Sequence, residues 1–220
     1  MSKNIVLLTS ALYTNYGIYK ANERIQQTLD TAKSAKKYIP GAVVILVDNS
    51  DDADIQYFHA NVQNYDIGKN AMEAMGLFKA LNYINSTPEL KAEIDSADRV
   101  FKLSGRYQVT DKFNIDNFHN DNTKGKYVFK KAQPAWINPQ DTGVTTLLQT
   151  RLWSFSPDLL DATIQLYQQI IGNMMETFNN QKYIDNEHSM SKFIPKDRLV
   201  ELEIVGLQGN IAPNGMMVID

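Results

Sequence analysis

The 220-residue chain contains no cysteine. That excludes disulfides, thiolate metal sites and a cysteine nucleophile together, leaving any chemistry to carboxylates, hydroxyls, amines or imidazoles. Charge of one sign is scarce as well. The formal net charge is -3 and the 22 basic residues are dispersed rather than gathered into a stripe, so a nucleic acid is not the expected partner. Long apolar runs are also missing. Ile5-Val6-Leu7-Leu8 meets Thr9-Ser10 before a signal-peptide core would be complete, and no later stretch reaches the length of a membrane span. A cytoplasmic protein without a membrane span is the expectation. What remains is ordinary globular usage, with 43% hydrophobic and 21% charged residues in a length that suits one domain, 1–220.

The order of elements is that of an α/β fold. Asn4 to Thr9 is a continuous apolar run of strand length, as expected of a strand covered on both faces of a mostly parallel sheet. Apolar groups at Ala21, Ile25, Leu29, Ala32 and Tyr38 keep helical spacing until Pro40-Gly41 stops them. Ala42 to Val47 is a second buried strand, ending in Asp48-Asn49-Ser50-Asp51-Asp52. This β-α-β unit is followed by a helix over Gly68 to Ile84 and another behind Pro88, then a short strand from Arg99 to Leu103 that runs into Ser104-Gly105-Arg106. In open α/β sheets ligands gather outside the carboxyl ends of the strands, so these three strand ends should face one cleft. Beyond it, Lys126 to Lys130 and Thr145 to Phe155 read as strands that extend the sheet. Ser156-Pro157-Asp158 starts a long helix carrying Leu159, Ile164, Tyr167, Ile171, Met174 and Phe178, a shorter helix spans Asp185 to Phe193, and Leu199 to Val205 reads as a last strand.

That order resembles the glycosyltransferase A (GT-A) fold, a Rossmann-like, mostly parallel sheet flanked by helices. Lys69-Asn70-Ala71-Met72-Glu73-Ala74-Met75-Gly76 and Val100-Phe101-Lys102-Leu103-Ser104-Gly105-Arg106-Tyr107 are similar to stretches of small bacterial and viral glycosyltransferase-like proteins, over residues 1–110 and more faintly 145–212. The resemblance implies a hexosyltransferase that moves a sugar from a nucleotide-sugar donor of the UDP-sugar type to a hydroxyl on a glycan, lipid or protein, with 1–110 as the nucleotide-binding half and 111–220 as the acceptor half. It places the nucleoside on Thr9, Ser10, Asp48 and Ser50. Asp48-Asn49-Ser50 is equally suited to capping a following helix.

Most members of that fold carry Asp-X-Asp at the third strand end, where a divalent cation (Mn or Mg) bridges to the diphosphate; here Ser104-Gly105-Arg106 stands instead. A guanidinium binds phosphate oxygens bidentately, so Arg106 can replace the cation's charge while Gly105 permits close backbone approach. Lys69 is a further phosphate contact or an ordinary surface lysine. Asp51-Asp52-Ala53-Asp54 contains an Asp-X-Asp string after the wrong strand and reads as a cap. For catalysis, Asp185-Asn186-Glu187-His188 is the densest cluster, and Glu187 or Asp185 would take the acceptor proton. His188 is a base, a metal ligand, a phosphate contact or a structural residue. Trp136 and Trp153, with Tyr107, Tyr127 and Phe155, are candidates for an aromatic platform against a sugar face, although core packing is the commoner fate of such rings, above all for Trp153 in a strand; Trp136, in a Pro-bounded loop, is the preferred one. A binding module without catalysis and a sugar nucleotidyltransferase are the alternatives; the latter usually has a Gly-rich, basic loop after the first strand, which Thr9-Ser10-Ala11-Leu12-Tyr13 is not.

Overall fold

The computed structural model describes residues 2–13, 18–50, 65–211 and 215–220, the side chains of 65–70 excepted. A six-stranded sheet forms the centre. Its strands are β1 (Asn4–Ser10), β2 (Ala42–Asp48), β3 (Arg99–Ser104), β5 (Tyr127–Lys130), β8 (Leu152–Phe155) and β9 (Leu199–Leu202), in the order β2-β1-β3-β8-β5-β9. Both β2 and β3 pair parallel with β1, and β5 pairs parallel with β9. β8 runs against β3 and β5, so it alone opposes the common direction.

Continuous apolar strands are needed because both faces are covered. Ile5, Leu7 and Val100 face one core, with Trp153 and Phe155, under α2 (Tyr65–Ser86), α5 (Leu160–Asn179) and α6 (Asn186–Phe193). Val6, Leu8, Phe101 and Leu103 face the other, shared with Ala35 of α1 (Ala21–Tyr38) and the ring group of Phe113 and Phe118, stacked at 5.1 Å. Trp153 is fully buried and stacked on Phe129 at 5.1 Å, and Tyr107, Tyr127 and Phe155 are buried too, the core fate expected of them.

The structure departs from the expected strands in two places. The single strand over Thr145 to Phe155 is broken into β7 (Thr146–Leu147), paired with β6 (Gln133–Pro134), and β8. Residues 148–151 leave the ladder because their backbone serves other partners: Leu148 N donates to Glu187 O at 3.1 Å, and Arg151 O accepts from Ser104 N at 2.9 Å. Leu199 to Val205 is not the last strand either. It ends at Leu202, and a second sheet in the order β11-β10-β4 follows, made of β4 (Tyr107–Val109), β10 (Leu207–Asn210) and β11 (Met217–Ile219).

Gly209 makes this small sheet possible. A Cβ there would lie 2.4 Å from Arg106 O, just before the opposed strand, and 2.7 Å from a ring carbon of Tyr107, its first residue. Gly209→Ala is therefore expected to cost about 1–3 kcal/mol, as overpacking does, and to lower the thermal midpoint measurably. An unchanged midpoint would show that β4 and β10 separate at no cost.

Candidate functional site

The carboxyl ends of β1, β2 and β3 come together as expected. Gly105 N donates to Thr9 O at 2.8 Å, and Asn49 N donates to Ser10 O at 3.0 Å. Asp48 joins the two loops by accepting the N–H groups of Leu12 and Ser50, both at 3.0 Å, while Ser50 Oγ accepts Tyr13 N–H at 2.8 Å. Thr28 of α1 reaches the same point, sharing a hydrogen bond with Ser10 Oγ at 3.2 Å and donating to Gly105 O at 3.4 Å. The crowding that glycine relieves at 105 is on this side: a Cβ would stand 3.0 Å from both Thr28 Oγ1 and Thr9 O.

Two guanidiniums meet here. Arg106 and Arg24 line a small cavity of about 20 Å³ with Thr9, Ser10, Thr28 and Gly105. Arg24 is buried and holds the loop after β1 through Tyr19 O (3.0 Å) and Ala11 O (3.3 Å). Arg106 Nε is shielded from solvent with no hydrogen-bond partner, a donor that an anion's oxygens would satisfy. Lys69 falls in the first turns of α2, where side chains are outside the described residues, as are Asp51, Asp52, Asp54 and His59. Among the described residues no three His, Asp or Glu side chains converge to hold a metal. At the β3 end the groups offered are a hydroxyl and a guanidinium, which do not suit a divalent cation.

A second cluster lies on the α2 and α5 face of the sheet. Lys102, fully buried in the middle of β3, gives all three ammonium protons: to Glu73 Oε1 of α2 at 2.5 Å, to Ser104 Oγ at 2.7 Å and to Thr150 O at 2.8 Å. Thr150 Oγ1 in turn donates to Glu187 Oε1 at 2.9 Å. The strand end assigned to the donor and the carboxylate assigned to catalysis are thus ends of one hydrogen-bonded chain, Ser104 to Lys102 to Thr150 to Glu187. Burial, with the charges of Asp185 and Glu73 added, pushes the Glu187 carboxyl up from its ordinary 4.5 to about 7.

Asp185 has a different occupation. It is the N-cap of α6, buried, and its Oδ1 accepts both His188 N at 2.8 Å and His188 Nδ1 at 2.6 Å. Nδ1 therefore donates to the carboxylate, and Nε2 is buried without a partner. The edge of Trp136 lies across the His188 ring at 5.3 Å, with 66% of the indole still exposed. His119 is remote from all this, its Nε2 bonded to Asn4 Oδ1 at 2.9 Å at the amino end of β1.

Glu73, Lys102, Thr150 and Arg24 carry this geometry and were not singled out in the sequence. One signal was available for Lys102, a lysine between Phe101 and Leu103 in a strand expected to be buried.

No protein-family model matches the sequence, and no curated protein is similar to it in sequence. Solved structures are similar in fold. The glycosyltransferase GlyE of Streptococcus pneumoniae superposes with a TM-score of 0.50 at 13% identity, covering 92% of this chain and 46% of that one. The galactosyltransferase LgtC, solved with donor and acceptor sugar analogues, superposes with a TM-score of 0.50 at 11% identity, covering 90% of this chain and 72% of that one. The chain spans about half the length of the pneumococcal enzyme. The fold is that of the GT-A glycosyltransferases, and no described helix is long and apolar enough to cross a membrane.

Proposed function

We propose that this chain of GT-A fold is a glycosyltransferase that moves a sugar from a nucleotide sugar, of the UDP-sugar class, to a hydroxyl acceptor. The observation that carries the reading is the hydrogen-bonded chain from Ser104 to Glu187, ending in a carboxylate poised near 7. A base with that proton affinity is matched to taking a hydroxyl proton at neutral pH. Residues 1–110 hold the donor, with Thr9, Ser10, Asp48 and Ser50 at the nucleoside and Ser104, Gly105, Arg106 and Lys69 at the diphosphate; residues 111–220 present the acceptor.

In the reaction the Glu187 carboxylate accepts the acceptor proton as that oxygen bonds to the anomeric carbon. The bond from that carbon to the diphosphate oxygen breaks, and the leaving nucleoside diphosphate keeps the electron pair. Arg106 stabilises the charge that grows on the leaving oxygen. Asp185 positions α6 and His188 rather than touching the substrate.

Calorimetric titration with UDP, GDP, CMP and ADP, with and without Mn²⁺, tests the donor site. UDP should bind most tightly and need no metal; binding of none of the four would sink the reading, and metal-dependent binding would remove Arg106 from its role. Arg106→Ala should weaken UDP about 10–100-fold, the worth of a charge-assisted hydrogen bond, while changing uridine affinity little. Equal loss for both ligands would refute the diphosphate assignment. A binding module without turnover is favoured instead if UDP binds and no sugar donor is consumed with any acceptor. The lack of carboxylates at Ser104-Gly105-Arg106 is what keeps that second reading.

A further inference from the structure

Trp136 leaves 66% of its surface in water, so a flat apolar ring face is open to a ligand. Tyr183 stands beside it, ring centres 5.9 Å apart and tilted by 40°. The next residue back, Lys182, pairs with Asp141 of α4 (Pro139–Thr142) at 3.4 Å. Asp141 and Lys182 are in turn one end of an open groove of about 420 Å³ that continues over Asn173, Glu176 and Asn180 of the α5 region to Lys192 of α6. Tyr183 directly follows Lys182 in the chain, so the ring pair stands at the Lys182 end of the groove, and Trp136 in turn touches His188, the neighbour of Glu187.

The chemistry of that surface is specific. Two carboxylates and two ammoniums line the groove, so their charges cancel, and between them stand amides and the Thr177 hydroxyl. Asn173 is 9% exposed on its floor: Lys192 Nζ donates to its Oδ1 at 2.7 Å, and its Nδ2 has no hydrogen-bond partner. A buried amide donor left unmet favours a ligand oxygen. Flat aromatic surface at one end and paired donors and acceptors along the rest suit a ligand with apolar ring faces and many hydroxyls. The volume is within the range of about 300–1,000 Å³ typical of small-molecule sites and exceeds what one sugar ring fills.

We propose that the groove between α4, α5 and α6, entered over Trp136 and Tyr183, is a binding site for a neutral oligosaccharide, holding the sugar residues behind the one whose hydroxyl reacts. Its role as the acceptor site rests on the transferase reading above; the binding itself does not. This distinction decides the experiment, which needs neither nucleotide nor turnover.

The chain has two tryptophans, and Trp153 is fully buried, so a change in the exposed-indole emission reports Trp136. Titration with lactose, maltose, cellobiose and maltotriose, against glucose and galactose, should give a saturable blue shift for at least one of the larger sugars and at least tenfold weaker binding of its monosaccharides. Trp136→Phe should abolish the signal, with binding then followed by calorimetry. Glu176→Ala, on the exposed rim of the groove, and Asn173→Ala, on its floor, should each weaken the best disaccharide at least fivefold. No saturable shift with any sugar, equal affinity for one ring and two, or full affinity in the Glu176→Ala protein would overturn the proposal. UDP titration of the same protein reports the donor site separately, so failure of either reading leaves the other standing.

Discussion

Glu187→Gln is expected to lower the rate of sugar transfer by about 10²–10⁴-fold, the usual worth of a positioned general base, while leaving UDP affinity within about twofold. The parent enzyme should show kcat/KM rising with pH and levelling off above about 7, where the Glu187 carboxyl loses its proton. The same substitution has an opposite effect on stability, and the sign follows from linkage. The folded carboxyl binds its proton more tightly than the unfolded one, about 7 against 4.5, so its contribution to stability is full below 4.5 and is lost as pH rises through 7. Glutamine imitates the protonated form at every pH. The variant should therefore melt at a higher temperature than the parent at pH 8 and at nearly the same temperature at pH 4. A less active but more stable protein at pH 8 is what a strained base predicts. An inactive variant that is also less stable at pH 8 would mark Glu187 as a structural residue, and a pH profile flat from 5 to 9 would remove it as the base.

The parts of this fold that were readable in the sequence are those whose cause is local. β1 and β2 announce themselves because strands covered on both faces must be apolar at every position, and Pro40-Gly41 stops α1 within one turn of where it ends. The small sheet was not readable. β4, β10 and β11 are three or four residues long, contain Gln108, Gln208 and Gly209, and gain their structure from pairing across about a hundred positions of chain, which no local window shows. The site divides in the same way. Ser104 and Glu187 stand out by residue type and by place in the strand and helix order, yet neither composition nor spacing joins them. The join is made by Lys102 and Thr150, whose importance exists only once β3, α2 and the 148–151 segment are packed together. Trp136 was legible because prolines flank its loop, whereas the groove beyond it needed α5 and α6 in place.

Lys102→Met should be the most destabilising single change at the site. Lys102 is fully buried, and its partner Glu73 keeps 31% of its side chain exposed. Removing the lysine takes from the Glu73 carboxylate the buried ammonium it pairs with, and takes the donor from Ser104 Oγ and Thr150 O. Breaking a buried ion pair from one side costs about 3–5 kcal/mol, and the exposure of Glu73 places this case toward the lower figure. Against a total stability of about 5–15 kcal/mol, that is a large share, visible as a lowered midpoint in urea. Glu73→Leu combined with Lys102→Met removes both charges and fills their space with apolar groups, so most of the loss should return; the cycle measures the coupling directly. Activity then separates two roles for the lysine. Thr150 holds the Glu187 carboxylate through its hydroxyl and is itself held by Lys102 through its carbonyl, so the double variant should regain stability but keep a kcat at least tenfold below the parent with KM little changed. A double variant that regains both stability and kcat would reduce Lys102 to a structural ion pair and leave Thr150 positioned by packing alone.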